Sequence, residues 1–227
     1  GSRDIDVDIV NCHPTILYQL MKTKQCDAFL PLLRQYVGDR EACLKQQSLP
    51  KKWAKSLLCG AMNGLNIHNL AASSWATNRE NKAFFVENPN WTPCKWWSTL
   101  HDDFGSLRQL LIRDKRVEEL TTKHGWSNPV AMYLQHIETE HMLLVKAELE
   151  RRGIIWTSYN YDGFQTKKAN THLVEQWIAE GCKCGSEYDL PFIIKPWQPM
   201  LRRNPYQFSF SKFKRLCTWR GQIPPTQ

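Results

Sequence analysis

Three aspartates alternate with β-branched aliphatic residues near the start of the chain, in the segment Asp-Ile-Asp-Val-Asp-Ile at residues 4–9. This alternation is typical of a half-buried strand, so Asp4, Asp6 and Asp8 are expected on one face. Three carboxylates on one face repel each other unless a cation lies between them, and Mg²⁺ is commonly bound by one or two carboxylates together with substrate phosphates. The pattern therefore predicts a metal-binding carboxylate on this strand. The alternative is an edge strand whose charged face discourages aggregation.

A further carboxylate lies at the tip of an expected hairpin. Residues 154–160 predict a strand, residues 161–164 a turn and residues 165–168 a return strand, with Asp162 in the turn. Aspartate at such a tip is often only a good turn former. However, two neighbouring strands that each end in an aspartate can hold two metal ions ~3.5–4 Å apart, which activate an attacking oxygen and stabilise a leaving one. Asp8 and Asp162 are therefore the predicted ligands of two Mg²⁺ ions.

A predicted helix over residues 51–62 supplies positive charge. Lys51, Lys55, Cys59 and Asn63 follow each other at intervals of four residues, which places them along one face of the helix. Two lysines suit the phosphates of a nucleoside triphosphate as mobile point charges, with the smaller side chains nearer its base. The alternative is a solvated basic face.

Composition and charge indicate an anionic partner. The chain has 227 residues, of which 42% are hydrophobic, enough for one substantial core or two small lobes. Its net charge of +8 favours nucleic acid as that partner. No apolar run approaches the ~20 residues of a membrane span, so no membrane association is expected. The eight cysteines lack Cys-x-x-Cys spacing, and no secretory signal is expected. They are therefore interpreted as reduced intracellular thiols, in a compartment that the sequence leaves open.

The end of the chain combines bases with aromatic residues. No acid follows Asp189, whereas basic side chains alternate with Trp, Tyr and Phe. Bases can contact phosphates and aromatic rings can stack on nucleobases. The predicted nucleic-acid contacts are Arg202, Arg203, Lys212, Lys214 and Arg215. The alternative is a strand or an extended tail that packs its aromatic residues on the sheet, and both can hold for alternate residues.

The order of these parts resembles the palm and fingers of family A DNA polymerases. In that family a motif A strand ends in a catalytic aspartate, a fingers helix carries Arg, Lys, an aromatic residue and Tyr-Gly at four-residue steps, and a motif C hairpin bears His-Asp-Glu. Asp8 aligns with the motif A aspartate and Asp162 with the motif C aspartate. The fingers-helix positions align with Lys51, Lys55, Cys59 and Asn63-Gly64. Asn-Cys-His-Pro after motif A and Tyr-Asp-Gly-Phe at motif C are most similar to the divergent family A-type polymerases of virophages and transpovirons.

The sequence departs from the family pattern at several positions. Gly163 stands in place of the motif C glutamate, and Cys59 and Asn63 lack the aromatic surface that stacks on the incoming base. His13 stands where the family has the glutamate that excludes ribonucleotides. Two alternatives therefore stay open: a polymerase that makes RNA, and a non-catalytic, nucleic-acid-binding palm-like module of a larger replication protein.

The resemblance implies an α+β fold with a small antiparallel palm sheet and a mostly helical fingers lobe. The palm is expected over residues 3–23 and 130–227 and the fingers over residues 24–129. The implied activity is template-directed transfer of dNTP to a primer 3′-hydroxyl on primer–template DNA, with two Mg²⁺ ions. Gly1-Ser2 is typical of a cloning remnant, so the natural chain is expected to extend upstream. The resemblance implies a thumb in that upstream region, and a helicase or other replication domain in the same polypeptide.

Periodicity and turn signals give the remaining expectations for local structure. Residues 66–105 show poor periodicity and are expected to mix short helices and loops, in an order that the sequence leaves open. Pro14 predicts a helix start and Gly38 a break or bend. The expected helices cover residues 14–22, 27–46, 51–62, 104–123, 129–152 and 170–179.

Overall fold

A computed structural model describes residues 4–26, 30–45, 49–77 and 81–195. The tail contacts predicted at Arg202, Arg203, Lys212, Lys214 and Arg215 lie outside these residues. The chain forms two compact units. The sheet unit consists of the described parts of Gly1–Cys12 and Ile137–Gln227, and the helical unit consists of those of His13–His136.

A four-stranded sheet is the centre of the sheet unit. Its strands are β1 (Asp4–Ile9), β2 (Trp156–Asn160), β3 (Gly163–Lys167) and β4 (Phe192–Lys195). They follow the order β2-β3-β1-β4, and every neighbouring pair is antiparallel. The expected α+β fold with a small antiparallel sheet is confirmed. The beginning of the tail forms the short strand β4, in agreement with the alternative that the tail contains a strand.

One face of the sheet forms the core of this unit. Val7 and Phe164 are opposite each other on β1 and β3, and both are fully buried. Phe192 of β4 extends this layer, and the Trp177 ring packs on it with 5.0 Å between ring centroids. Because strand side chains alternate between faces, the aspartates of β1 lie on the opposite face. The alternation of aspartate and aliphatic residues in the sequence therefore places the three aspartates on one face of the sheet, as predicted.

Ten α-helices are present in the described residues, and their bounds are as follows: α1 (Cys12–Thr23), α2 (Pro31–Gly38), α3 (Arg40–Lys45), α4 (Lys51–Met62), α5 (Ser74–Thr77), α6 (Lys82–Glu87), α7 (Lys95–Ile112), α8 (Lys115–His124), α9 (Pro129–Arg151) and α10 (Thr171–Ala179). Two 3₁₀ helices cover Ile67–Ala72 and Lys168–Asn170. The bounds of α4 are those predicted, and α9 and α10 each differ from prediction by one residue at one end.

Aspartate caps divide two segments that were each predicted as one helix. The Asp114 carboxylate accepts hydrogen bonds from the backbone N–H groups of Arg116 at 2.9 Å and Val117 at 3.4 Å, and so starts α8. Asp39 accepts from the Ala42 N–H at 3.0 Å where α2 gives way to α3. The single helix over residues 104–123 is therefore wrong, whereas the expected break near Gly38 is confirmed.

The described part of residues 66–105 mixes short helices and loops, as expected, and also contains the beginning of α7. Their order comes from aromatic packing around Phe84, which is 1% exposed. The rings of Trp53, Trp75 and Trp91 meet it edge to face, with centroid separations of 5.5, 5.3 and 5.5 Å. Such contacts are favourable beyond the area that they bury. They join residues distant in sequence, which is why periodicity does not reveal them.

The unit boundaries differ from the expected palm boundaries. The units change after Cys12 and after His136, whereas the palm was expected to end at residue 23 and to resume at residue 130. Most of α1 and the beginning of α9 therefore cluster with the helical unit.

Candidate functional site

Asp8 and Asp162 come from the two strand ends that the sequence predicts to be neighbours. In the antiparallel pairing of β1 with β3, Asp8 is opposite Gly163. The next residue, Ile9, donates its backbone N–H to the carbonyl oxygen of Asp162 at 2.8 Å. The hairpin tip therefore lies beside the carboxyl end of β1, with the main chain of Asp162 next to Ile9 and offset by one residue from that of Asp8.

Gly163 leaves room for the Asp8 carboxylate. A Cβ atom built on Gly163 would lie 2.2 Å from Asp8 Oδ1 and 2.4 Å from the carbonyl oxygen of Val7. Both distances are far shorter than any van der Waals contact. Glycine at position 163 is thus required by close approach, and the Asp8 side chain lies in the space that a larger residue would fill. Sequence reasoning had found no role for it.

The loops beside the two aspartates have unusual backbone conformations. Tyr161, at the hairpin tip, has a φ of 42°, and Asn11, just after β1, has a φ of 51°. Asparagine tolerates this left-handed region, but tyrosine does so only at a cost on the order of 1–3 kcal/mol. Tyr161 is also 65% exposed, so its ring gains little from packing. Strain of this kind clusters at functional sites.

Lysines from the neighbouring strands neutralise part of the acidic face. Lys195 of β4 is opposite Asp6 and forms an ion pair with the Asp8 carboxylate. Lys167 of β3 is opposite Asp4 and pairs with it at 2.9 Å. Opposite charges across strands stabilise a sheet. Protein cations therefore provide some of the compensation for which the sequence suggested only a metal.

A buried carboxylate lies beside Cys12, whose thiol is also affected by the charge of Asp162. Glu138 of α9 is 6% exposed and hydrogen bonds to the thiol of Cys12, the residue that begins α1. Burial raises the pKa of the Cys12 thiol well above its usual range, and the negative charges of Glu138 and Asp162 raise it further. Cys12 thus lies within electrostatic range of two acids. The sequence alone does not single out Glu138, because a polar residue on a helix is usually solvated.

The predicted face of α4 lies outside the buried side of that helix. Lys51 and Lys55 are exposed, and Cys59 and Asn63 are half-buried. The buried side consists of other residues: Trp53, Ala54, Leu57, Leu58, Ala61 and Met62. The predicted common face is therefore present. Lys51 already has a protein partner, since its ammonium pairs with the Glu41 carboxylate at 2.7 Å.

Arg108 adds a cation at the end of this face. A Cβ atom on Gly64, whose φ is 98°, would lie 2.8 Å from Arg108 Cζ. The guanidinium therefore lies over the residue that ends the α4 segment, where the helix dipole favours positive charge. Sequence reasoning missed Arg108 because only the packing of α7 against α4 brings it there.

The predicted residues divide between the two units. Asp8 and Asp162 belong to the sheet unit, while the face of α4 belongs to the helical unit. His13, the residue expected to influence sugar selection, is half-buried in the first turn of α1 and also clusters with the helical unit.

Comparison of the chain with protein-family models, with curated proteins and with solved structures yields no match. Among the described residues, no helix combines the length and the apolar character that crossing a membrane requires.

Proposed function

We propose that this chain is a template-directed DNA polymerase core that transfers a nucleotide from dNTP to a primer 3′-hydroxyl. The observation that carries the proposal is the pairing of two aspartate-bearing strand ends. Ile9 N–H donates to the Asp162 carbonyl at 2.8 Å, and Asp8 is opposite a glycine that leaves space for its carboxylate. Paired carboxylates at adjacent strand ends are suited to phosphoryl transfer assisted by two metals.

The donor set fits Mg²⁺. Carboxylate oxygens are the hard ligands that Mg²⁺ prefers. Asp8 and Asp162 would hold the two ions. When bound, such ions activate the attacking hydroxyl and neutralise charge on the triphosphate.

The other residues bind and orient the substrates. Lys51 and Lys55 would contact the phosphates of dNTP as point charges, each from an exposed position on α4. Lys195 would hold the Asp8 side chain in position through their ion pair. The net charge of +8 favours association with the phosphates of primer–template DNA.

Replacement of either aspartate tests the proposal. We expect Asp8→Asn and Asp162→Asn to reduce primer extension by at least about a hundredfold, because metal ligation contributes several kcal/mol to the transition state. DNA binding, measured by fluorescence anisotropy, should change little. Asp4→Asn is the matched control, since Asp4 shares the strand and the face but pairs with Lys167. Undiminished extension in Asp8→Asn or Asp162→Asn would contradict the proposal.

One observation favours a second candidate, a non-catalytic nucleic-acid-binding module. The Lys195 ammonium already pairs with Asp8, as a purely structural ion pair would. Incorporation of labelled nucleotide distinguishes the two candidates. A polymerase incorporates it only with Mg²⁺, template and primer, whereas a binding module retains the DNA and incorporates nothing under any of these conditions.

A further inference from the structure

We propose that the helical unit carries a zinc site formed by His68, His101 and Asp102. His68 lies in the 3₁₀ helix Ile67–Ala72, and the other two residues lie in α7. One candidate ligand atom from each residue can be chosen so that all three lie within 4.8 Å of one another. This is the one such group of three among the described residues, and it belongs to the helical unit, whereas the aspartates belong to the sheet unit.

The donor set is one that zinc takes. Two imidazole nitrogens and a carboxylate oxygen match the three protein ligands of open zinc sites, in which water or another ligand completes the tetrahedron. The imidazole donors favour zinc and similar late divalent metals over Mg²⁺ and Ca²⁺, which take oxygen. The all-carboxylate pair of Asp8 and Asp162, by contrast, suits Mg²⁺.

The two histidine rings already approach each other. Their centroids are 5.2 Å apart and their planes make an angle of 86°. His101 Nδ1 lies 3.3 Å from a carboxylate oxygen of Asp102, so the acid is within reach of the same ring. Tetrahedral coordination requires ligand atoms about 3.3 Å apart, given metal–ligand bonds of about 2 Å. His68 and Asp102 are exposed, so their side chains have room to rotate towards a bound ion.

The backbone on both sides of the site is anchored. Ile67 and Leu100, the residues before His68 and His101, are each 1% exposed. The His68 backbone N–H donates to the side chain of Asn66 at 3.0 Å, which fixes the start of the 3₁₀ helix. Ligands attached to buried, hydrogen-bonded backbone lose less conformational freedom when a metal binds. A bound ion would cross-link the 3₁₀ helix to α7, so it would stabilise the helical unit without taking part in nucleotidyl transfer.

Zinc binding by the purified full chain tests the proposal. We expect titration calorimetry to show stoichiometric zinc binding by the wild type. His68→Ala and His101→Ala should each weaken the zinc affinity at least about a hundredfold, because loss of a direct ligand costs more than the 10–100-fold loss caused by removing a supporting contact. His172→Ala is the matched control, since His172 is an exposed histidine of α10 in the sheet unit. Zinc should also raise the melting temperature of the wild type and of this control.

Cobalt substitution distinguishes this site from cysteine ligation, because a cobalt–thiolate bond gives a strong near-ultraviolet charge-transfer band. We expect tetrahedral cobalt absorption without that band. Wild type that binds no zinc, affinity unchanged in both histidine variants, or a thiolate band from the bound ion would each overturn the proposal. Asp102→Asn provides a third ligand variant whose substitution lies at an exposed position, and circular dichroism verifies the fold of every variant.

Discussion

Asp8 and Gly163 face each other across β1 and β3, and their contact limits which side chains the sheet can accept. We predict that Gly163→Ala destabilises the protein by roughly 1–3 kcal/mol, the usual cost of overpacking. The added Cβ would lie 2.4 Å from the carbonyl oxygen of Val7, a backbone atom that cannot rotate away. It would also displace the Asp8 carboxylate, so primer extension should fall together with stability. Urea unfolding and extension assays measure the two effects.

Gly105→Ala is the matched control for this substitution. Gly105 lies inside α7, and a Cβ atom built there has nothing within 4 Å. Alanine should therefore stabilise the helix by about 0.5–1 kcal/mol through its better helix propensity. If Gly163→Ala behaved like Gly105→Ala in both assays, the close approach between Gly163 and Asp8 would have no energetic consequence.

The face of α4 allows a prediction for a whole element. Lys55→Ala should raise the KM for dNTP at least about tenfold, since a hydrogen bond to a charged group contributes about 1.5–3 kcal/mol. Lys52 lies three residues earlier on α4 and is the control. Its ammonium pairs with Glu87 at 3.0 Å and lies 4.4 Å from the centre of the Trp53 ring. Steady-state extension kinetics with increasing dNTP measure both variants.

Lys52→Ala is expected to affect stability more than the KM for dNTP, because its contacts lie within the helical unit. Equal KM values in the two variants and the wild type would remove Lys55 from the proposed phosphate contacts. A similar rise in both variants would indicate that general positive charge, rather than the predicted face of α4, attracts the nucleotide.

Elements with strong local signals could be predicted from the sequence, and those that depend on tertiary contacts could not. Helix α4 lies between Pro50, which cannot continue a preceding helix, and Gly64, whose φ is 98°. Helices α5 and α6 lack such signals and form where aromatic rings surround Phe84. The break before α8 was missed because Asp114 lies within a continuous amphipathic pattern, and its capping bonds appear only in the structure.

The candidate site likewise contains features that local sequence patterns predict and features that depend on tertiary contacts. The pairing of Asp8 with the hairpin could be predicted because alternation and a turn motif are local patterns. The positions of Glu138 and Lys195 could not, since α9 and β4 must first pack beside β1 and the hairpin. The proposed zinc site could not be predicted either, because His68 and His101 lie far apart in sequence without a recognisable spacing.

At the scale of the whole molecule, a buried histidine couples folding to pH. His141 is 2% exposed and its ring stacks on Phe192, with 6.1 Å between centroids. Neither ring nitrogen has a hydrogen-bond partner among the residues that the structure describes. Burial lowers the pKa of His141 from 6.5 to about 4, against the opposing effect of Asp189. The core therefore favours the neutral imidazole.

The sign of the pH dependence follows from the pH at which the folded and the unfolded chain each protonate His141. The unfolded chain protonates this histidine near pH 6.5 and the folded chain only near pH 4, so the unfolded state binds more protons between these values. The stability contributed by neutral His141 is complete above pH 6.5 and is lost as the pH falls through about 4, by about 3 kcal/mol in total.

We predict that His141→Leu removes this component of the acid sensitivity. Leucine breaks no hydrogen bond seen among the described residues and keeps an apolar side chain against Phe192, so stability near neutral pH should change little. The free energy of unfolding in urea should be compared for wild type and variant from about pH 7 to about pH 4.5, where the difference should grow by up to about 1.4 kcal/mol per pH unit. Carboxylates titrate in both proteins, so their contribution cancels in this difference. Parallel pH profiles would show that His141 accepts a proton in the folded protein as readily as in the unfolded chain.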